Sequence, residues 1–265
     1  MPLSRQARIA AVRAQIAALE PLALPAAQVL PFGDARVDGA LGGGLALGRW
    51  HEFVGEGLET ETAAATAAFV ALAARPLAAR GEMVWVCRRD DLHAPGLAGL
   101  GFPAERLIQV CARDEAETLA VLEDALRTPG VVAAFGEVEA VGLVAGRRLQ
   151  LACETGVAAG FVLRRRPFGG AAGAGGRAEG SAAATRWIIA PAPSEPGETP
   201  GLGAPRWRAS LDRCRGGRPG AWILEAWEED DAPHPFRVVA ELADRGLAPQ
   251  TPLRLPSPLW GGKAA

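Results

Sequence analysis

One glycine-bearing loop, between two apolar stretches, has the residue types and spacing that come closest to a known ligand-binding motif. Gly55 and Gly57 open the loop and Thr62 closes it. A phosphate-binding loop has the pattern G-x-x-x-x-G-K-[ST], because its amides and lysine hold phosphates and its hydroxyl holds Mg²⁺. When that pattern starts at Gly55, Thr60 takes the place of the second glycine and Glu61 that of the lysine. We therefore classify the loop as degenerate and expect it to bind no nucleotide.

Acidic residues at the end of this loop support the same expectation. The start of a helix carries unpaired amides and about half a positive charge, which attracts phosphate. Glu59 and Glu61 lie at the predicted start of the helix that follows the loop. A carboxylate stabilises a helix at that position by about 0.3–1 kcal/mol, and it repels a polyphosphate. Thr60 or Thr62 is predicted to cap this helix.

Lysine is almost absent from the chain. Of the 28 lysines and arginines, a single residue, Lys263, is a lysine, and it lies far from the loop in sequence. A compositional bias that replaces lysine by arginine does not explain why a glutamate stands at the position of the phosphate-loop lysine. Hydrolysis of a nucleotide is therefore not expected.

Under two other interpretations, the loop binds a nucleotide. In the first, the chain is an ATPase of the RecA/KaiC type with a non-standard phosphate loop. In the second, Gly55, Gly57 and Thr60 follow the G-x-G-x-x-G fingerprint of a dinucleotide-binding enzyme, with Asp90 or Asp91 on the ribose. The third glycine of that fingerprint is missing. Both interpretations stay open as alternatives.

The other residue types that do chemistry are scattered. The three histidines, His51, His93 and His234, have no paired ligand at metal-binding spacing, and no serine lies in a nucleophile-elbow context. The four cysteines are far apart in sequence and form no CxxC pair, so neither a disulfide nor a zinc site is expected. We therefore expect no catalytic residue, no metal and no cofactor.

The composition fits a globular protein. The chain has 265 residues, of which 49% are hydrophobic and 22% charged, and its net charge of −2 does not suit a free-standing nucleic-acid binder. No apolar stretch reaches the length of a membrane span. Residues 1–20 contain no apolar block followed by a cleavage site, so the expected compartment is the cytoplasm.

Apolar stretches with strand character alternate with helical patterns. Such alternation predicts an α/β fold with a mostly parallel central sheet covered by helices on both faces. The predicted strands are 50–54, 83–87, 107–110, 131–135 and 160–163, and the predicted helices are 62–75, 115–127 and 143–155. Further along, 187–190 is a strand, 207–213 and 222–227 form an antiparallel hairpin, and 236–242 is a strand or a short helix.

The chain divides into one core domain with appendages. Residues 1–20 form an N-terminal helical arm with Ile9, Val12, Ile16 and Leu19 on one face, and residues 21–31 form a linker. The core domain spans 32–243 and includes a mobile Gly/Ala loop at about 167–181. Residues 244–265 form a flexible tail.

The motifs and their order resemble the core of RecA recombinases, and more specifically the ImuA family of RecA-related accessory proteins. The resemblance covers about residues 30–243. It rests on the following stretches: LPFG at 30–33, GGGLALGRWHEFVG at 42–55, LGFP at 100–103, RLI at 106–108, WIIAPAP at 187–193 and RGGRPGAW at 215–222. It implies a RecA-like core to which the C-terminal hairpin is added.

The resemblance also shows where recombinase residues are missing. The position of the catalytic glutamate corresponds to Arg89 in this chain, and that of the metal-supporting aspartate to Gly136, with Glu137 one residue further. Phosphoryl transfer depends on positioning and charge stabilisation by such groups. Their replacement implies a RecA-like protein without ATPase activity.

Membership of this family would imply a function and partners. The function would be that of a scaffold in SOS-induced error-prone translesion DNA synthesis and repair. The partners would be an inactive Y-family polymerase-like protein (ImuB) and an error-prone replicative-type DNA polymerase. The N-terminal arm offers a route to a homo-oligomer, and single-stranded DNA is a further candidate partner.

Arginines and tryptophans mark a candidate surface for a partner or DNA, because these residue types are enriched in interface hot spots. One group ends the strand at 160–163, and the other surrounds the predicted hairpin. The candidates are Arg164, Arg165, Arg166, Trp207, Arg213, Arg215, Arg218 and Trp222.

Overall fold

A computed structural model describes residues 29–166, 181–195, 203–227 and 234–242 of the chain. The predicted N-terminal arm, most of the linker, nearly all of the Gly/Ala loop and the C-terminal tail lie outside these residues. The core domain predicted for 32–243 contains all but three of the residues described.

A mixed sheet organises the described residues. Its strands, in spatial order, are β11 (Phe236–Glu241), β10 (Gly220–Ala226), β9 (Arg206–Cys214), β8 (Thr185–Ala192), β3 (Trp50–Gly55), β7 (Ala159–Arg164), β6 (Val131–Val138), β4 (Glu82–Cys87) and β5 (Leu107–Cys111). From β8 to β5 all neighbours are parallel. From β8 to β11 they are antiparallel. The mostly parallel sheet predicted from the sequence is therefore confirmed.

Helices cover both faces of the parallel part. Helix α2 (Glu59–Ala74) packs against β3, β7 and β8 on one face, and α4 (Glu115–Arg127) and α5 (Leu143–Gly156) pack against the other. Two shorter helices, α1 (Ala35–Leu41) and α3 (Ala94–Ala98), two 3₁₀-helices (Arg75–Arg80 and Ala104–Arg106), and a two-stranded ribbon of β1 (Val29–Leu30) and β2 (Leu45–Ala46) complete the described elements. The helix predicted at 62–75 therefore begins three residues earlier.

Aromatic side chains fill the core between the sheet and α2. Phe53 of β3 stacks on Trp187 of β8, with ring centroids 6.5 Å apart, and Phe69 of α2 lies against both rings. The opposite face holds a separate core in which Trp50 packs with Leu149 and Cys153 of α5. Successive residues of β3 thus point to opposite faces, as the period of a strand requires.

The C-terminal part extends the sheet by antiparallel strands. The predicted hairpin is β9 and β10, in which Trp222 lies opposite Ala209. Residues 236–241 form a strand, β11, and not a helix. The hairpin is therefore one part of a four-stranded antiparallel region that runs from β8 to β11.

A buried histidine joins β3 to β8. The Nε2 atom of His51 lies 2.9 Å from the carbonyl oxygen of Ala46, so Nε2 carries the proton and Nδ1 accepts from the hydroxyl of Thr185 at 2.8 Å. The Thr185 oxygen in turn accepts from the indole of Trp187 at 3.1 Å. Burial lowers the pKa of His51 to about 4. His51 is therefore a neutral structural group.

One helical stretch of the described residues, 59–80, is long and apolar enough to cross a membrane. Of its most apolar window, 56% is buried inside the fold, which is what the core helix of a globular domain requires.

Candidate functional site

The degenerate loop lies at the carboxyl end of β3, directly before α2. An added Cβ atom at Gly55 would lie 2.4 Å from the Thr62 hydroxyl oxygen, so the first turn of α2 packs directly on the glycine backbone. Gly57 has a φ of +125°, a conformation that side-chain-bearing residues rarely adopt. The two glycines therefore have local structural roles that require no bound ligand.

The first turn of α2 is occupied by the protein's own groups. The N-cap is Leu58, which supplies no side-chain cap. The Leu58 amide donates to a carboxylate oxygen of Glu61 at 3.4 Å, and the Thr62 hydroxyl donates to the Leu58 carbonyl at 3.0 Å. The prediction that Thr60 or Thr62 caps the helix is wrong, because Thr62 points back into the helix and Leu58 holds the cap position.

An arginine from another strand lies beside this helix start. Arg165, which directly follows β7, donates to Glu59 of α2 at 2.8 Å and to Glu137 of β6 at 2.7 Å. It also forms a two-pronged pair with Asp91, at 3.0 and 3.2 Å. We call these four residues the Arg165 cluster. A single guanidinium therefore joins three carboxylates that come from three separate parts of the chain.

Burial gives the Arg165–Glu137 pair of the Arg165 cluster a low-dielectric environment, whereas Glu59 and Asp91 are partly exposed. The Glu137 side chain is fully buried, and its second oxygen accepts from the Trp85 indole at 2.9 Å. Burial raises the pKa of Glu137 even though the charge of Arg165 opposes the shift. Burial also works against the charge on Arg165, but hydrogen bonds and the carboxylate charges hold the pKa of Arg165 above its ordinary value. The guanidinium therefore stays charged.

Near its carboxyl end, β6 has a glycine at the position that corresponds to the recombinase aspartate, and this glycine packs against α4. A Cβ atom at Gly136 would lie 2.7 Å from Cδ2 of Leu122 in α4, so a side chain there would displace the helix contact. Glu137, one residue further, carries a carboxylate to this edge of the sheet but is paired with Arg165. Arg89 is exposed and lies 4.0 Å from Asp91.

A second buried ion pair lies on β3. Glu52 is 1% exposed and accepts from Arg164 and from Arg186 of β8, each at 2.8 Å. Burial would raise the pKa of Glu52, but these hydrogen bonds and charges hold the pKa below its ordinary value. Arg164 and Arg165, both predicted to face a partner or DNA, are thus paired within the fold.

A cleft of about 510 Å³ opens beside the Arg165 cluster, between α2 and α3. Alanines of α2 form one wall, and Leu92, Leu97 and Leu100 contribute apolar surface to the other. Arg89 and Arg166 line the same cleft. Of the three consecutive arginines, both Arg165 and Arg166 therefore line this cleft, whereas Arg164 does not.

The structure places the tryptophans of the predicted surface in the core. Trp207 is 2% exposed, and its indole donates to the carbonyl of Ala65 in α2 at 2.8 Å. Trp222 is 1% exposed and lies 6.1 Å from the Trp187 ring. Alternation along β9 and β10 directs both indoles toward α2, so they support the fold.

The hairpin arginines lie elsewhere. Arg215 and Arg218 are exposed at the turn between β9 and β10, and Arg213 donates to the carbonyl of Ala183 at 2.8 Å. Because Cys214 of β9 pairs with Thr185, the first residue of β8, this turn lies at the amino edge of the parallel strands. The two predicted arginine groups therefore lie at opposite edges of the sheet, and whether Arg213, Arg215 and Arg218 meet a partner stays a prediction.

Sequence reasoning missed Arg165 as the centre of the site. The available signal was the run of arginines at a strand end together with acidic residues after other strands, but pairing them required the strand order. Among the described residues, no group of three or more His, Cys, Asp or Glu side chains is arranged to hold a metal ion. The three carboxylates of the cluster surround a guanidinium.

Comparison with known proteins extends these observations. No protein-family model matches the chain. The chain is 62% identical over 225 residues to Protein ImuA from two strains of Caulobacter vibrioides, a match that covers 83% of this chain and 92% of each relative. The crystal structure of the RadB recombinase shares the fold, with a TM-score of 0.54 and 15% identity over 75% of this chain and 96% of that one. The RecA-like fold predicted from the sequence is confirmed.

Proposed function

The chain belongs to the ImuA family, and from that premise we propose that it serves damage-induced mutagenesis as a RecA-like scaffold that does not hydrolyse ATP. In this proposal it assembles proteins for error-prone translesion synthesis in the cytoplasm. The family membership supports the pathway, and the geometry of the degenerate loop supports the absence of hydrolysis.

The Arg165 cluster is the observation that supports the proposed absence of ATP hydrolysis. Arg165 contacts Glu59, Asp91 and Glu137 at hydrogen-bond distances. A nucleotide beside α2 would bring a polyphosphate toward these three carboxylates and toward Glu61. Removing the arginine from them would leave a buried charge without a partner, which costs several kcal/mol. The cluster therefore opposes nucleotide binding both by repulsion and by the stability that binding would sacrifice.

The dinucleotide alternative is disfavoured by the same contacts. It needs a carboxylate that is available to the ribose hydroxyls. Asp91 holds both terminal nitrogens of Arg165, and Asp90 accepts from the Gln109 amide at 3.0 Å. Both candidate carboxylates are therefore already engaged.

The test of non-hydrolysis uses the full-length protein with ATP and Mg²⁺, with and without single-stranded DNA. We expect no rise in the melting temperature and no phosphate release, because a ligand that binds only the folded state would stabilise it by mass action. A recombinase with an intact phosphate loop serves as the positive control. DNA-stimulated hydrolysis that is abolished by Glu61→Ala would contradict the proposal.

The proposed partners are an ImuB-like inactive Y-family polymerase and an error-prone replicative-type polymerase. A homo-oligomer through the N-terminal arm and contact with single-stranded DNA belong to the same proposal as secondary features. Co-purification of the full-length chain with the ImuB-like protein tests the main partner. If a variant that lacks residues 1–20 still co-purifies with that partner, the scaffold role does not depend on self-association through the arm.

A further inference from the structure

Two cysteines that are distant in sequence lie side by side at the edge of the sheet. Cys87 ends β4, Cys111 ends β5, and the two residues are direct partners in the parallel register. Their sulfur atoms are 3.6 Å apart, and both residues are free thiols. We expected no disulfide because the cysteines are far apart in the sequence, but the register of β4 and β5 makes these two cysteines neighbours.

We propose that Cys87 and Cys111 form a thiol oxidation site, at which a hydroperoxide converts the two thiols into a reversible intramolecular disulfide. The inference does not depend on the proposed scaffold function. A disulfide has an S–S distance of about 2.05 Å, so the sulfurs need to approach by only about 1.5 Å. The shared register already places both side chains on the same face of the sheet.

The two thiols differ in solvent accessibility, and they therefore have different roles in the reaction. Cys111 is exposed, whereas Cys87 is fully buried. Cys111 gives up its proton, and its sulfur attacks one oxygen of the hydroperoxide. The O–O bond breaks, Cys111 becomes a sulfenic acid, and the oxygen that leaves takes up that proton, which from hydrogen peroxide gives one water. The sulfur of Cys87 then attacks the sulfenic sulfur, and the hydroxyl group leaves as a second water with the proton of the Cys87 thiol. Two thiols are oxidised and one peroxide is reduced.

The environment of Cys87 favours this order. Burial, together with the hydrogen bond that the Cys87 thiol donates to Cys111, raises the pKa of Cys87 to about 12, so Cys87 remains a thiol at neutral pH. The Gln109 side-chain nitrogen lies 3.8 Å from the Cys87 sulfur, and the Val110 carbonyl lies 3.7 Å from it. The first reaction with an oxidant therefore occurs at Cys111.

The bond would tether one wall of the cleft. The segment between the two cysteines contains α3, with Leu92, Leu97 and Leu100 on the cleft. It also contains Asp91, one of the three carboxylates on Arg165. Oxidation would close this segment into a covalent loop and restrict its opening.

The test treats the folded full-length protein with hydrogen peroxide, blocks remaining thiols and maps the peptides by mass spectrometry. We expect one disulfide between Cys87 and Cys111, reversed by dithiothreitol. Cys111→Ser should abolish it, and the matched control Cys214→Ser should leave it unchanged. Accumulation of sulfinic acid at Cys111 with Cys87 still reduced, or pairing with Cys153 or Cys214, would overturn the proposal.

A second measurement uses no oxidant. Phenylarsine oxide bridges two neighbouring thiols, so the folded wild-type protein should capture one equivalent and Cys111→Ser none. Because Cys111 is exposed, its replacement by serine leaves the buried core intact. Equal capture by wild type and Cys111→Ser would show that the two sulfurs do not act as a pair and would equally overturn the proposal.

Discussion

At the scale of single residues, Arg165 supplies a positive charge beside the start of α2. Lysine is absent from the described residues, and the guanidinium reaches the helix start from a different strand. Arginine suits this position because its planar fork offers five donors and keeps its charge when buried. Its contacts with Glu59, Asp91 and Glu137 use that donor capacity.

Removing this arginine should destabilise the protein strongly. In Arg165→Ala, Glu137 stays buried without its ion-pair partner, and breaking a buried pair in this way costs about 3–5 kcal/mol of unfolding free energy at neutral pH. The loss should shrink as the pH falls, because burial raises the pKa of Glu137 and protonation removes the unpaired charge. Urea denaturation at several pH values measures both effects.

Two variants control this experiment. Arg166→Ala removes the neighbouring arginine, which lines the cleft, and should change stability by no more than about 0.5 kcal/mol. Adding Glu137→Gln to Arg165→Ala should recover part of the loss, because it removes the unpaired charge. Equal losses in Arg165→Ala and Arg166→Ala would contradict the buried-pair interpretation.

His51 predicts a specific acid sensitivity. Its pKa in the folded protein is about 4, below the ordinary value of 6.5, so folding favours the neutral ring. The stability contributed by His51 is complete above pH 6.5 and is lost as the pH falls from 6.5 to 4. The difference corresponds to roughly 3 kcal/mol. Stability measured across this range should therefore fall less steeply in His51→Gln than in the wild type.

The exposed His93 provides the comparison. His93→Gln is the matched control, because the exposed His93 side chain makes none of the buried hydrogen bonds that hold His51. An unchanged slope in His51→Gln would mean that other groups dominate acid unfolding and that the His51 interpretation is wrong.

Several predictions about single residues depended on the direction in which a side chain points, and the sequence alone does not specify that direction. Arginines and tryptophans were predicted to mark a surface for a partner or DNA, but Trp207 faces α2 and Arg165 pairs with carboxylates inside the fold. The cysteines illustrate the same limit, because Cys87 and Cys111 become neighbours only through the register of β4 and β5. Side-chain partners at this scale follow from strand order, which local patterns do not specify.

At the scale of elements, the end of α5 carries backbone strain. Val157 has a φ of +56°, and it is the one non-glycine with positive φ among residues 29–166, 181–195, 203–227 and 234–242. A β-branched residue is unfavourable in this left-handed conformation, which helices commonly give to glycine at their C-terminal end. Val157 is 66% exposed, so its side chain adds little packing in return.

Val157→Gly should therefore stabilise the protein, by about 1 kcal/mol, because relief of strain exceeds the entropy that glycine adds to the unfolded chain. Thermal or urea unfolding measures the change. Val144→Gly is the matched control, since Val144 is an exposed valine in the first turn of the same helix, and it should not stabilise. Destabilisation by Val157→Gly would show that the valine makes contacts worth more than its strain.

Elements were the most predictable level of the structure. Alternating apolar stretches gave each strand of the parallel part, because buried strands leave near-continuous apolar runs. The short helices α1 and α3 and the β1–β2 ribbon were not predicted. Other errors lie at the ends: α2 begins at Glu59, since Leu58 provides the cap position without a capping side chain. Residues 236–241 could not be assigned between helix and strand because their pairing with β10 supplies the decisive hydrogen bonds.

At the scale of the whole molecule, strand order explains the site. The order β3-β7-β6-β4 makes neighbours of four strands whose carboxyl ends face the same edge. Glu59 follows β3, Arg165 follows β7, Glu137 lies near the end of β6 and Asp91 follows β4. Residues separated by up to about a hundred positions thus meet around one guanidinium, which the fold class alone could not have revealed.

The convergence of these four strands on Arg165 also constrains how the protein can change over generations. Replacing Glu61 by lysine alone would not create a phosphate site, because Arg165 and its three carboxylates would still lie beside the start of α2. Mutating Arg165 first would pass through an unstable intermediate that selection removes. Single substitutions within the Arg165 cluster are therefore costly, and sequence changes in this lineage should accumulate on the outer surfaces of the protein.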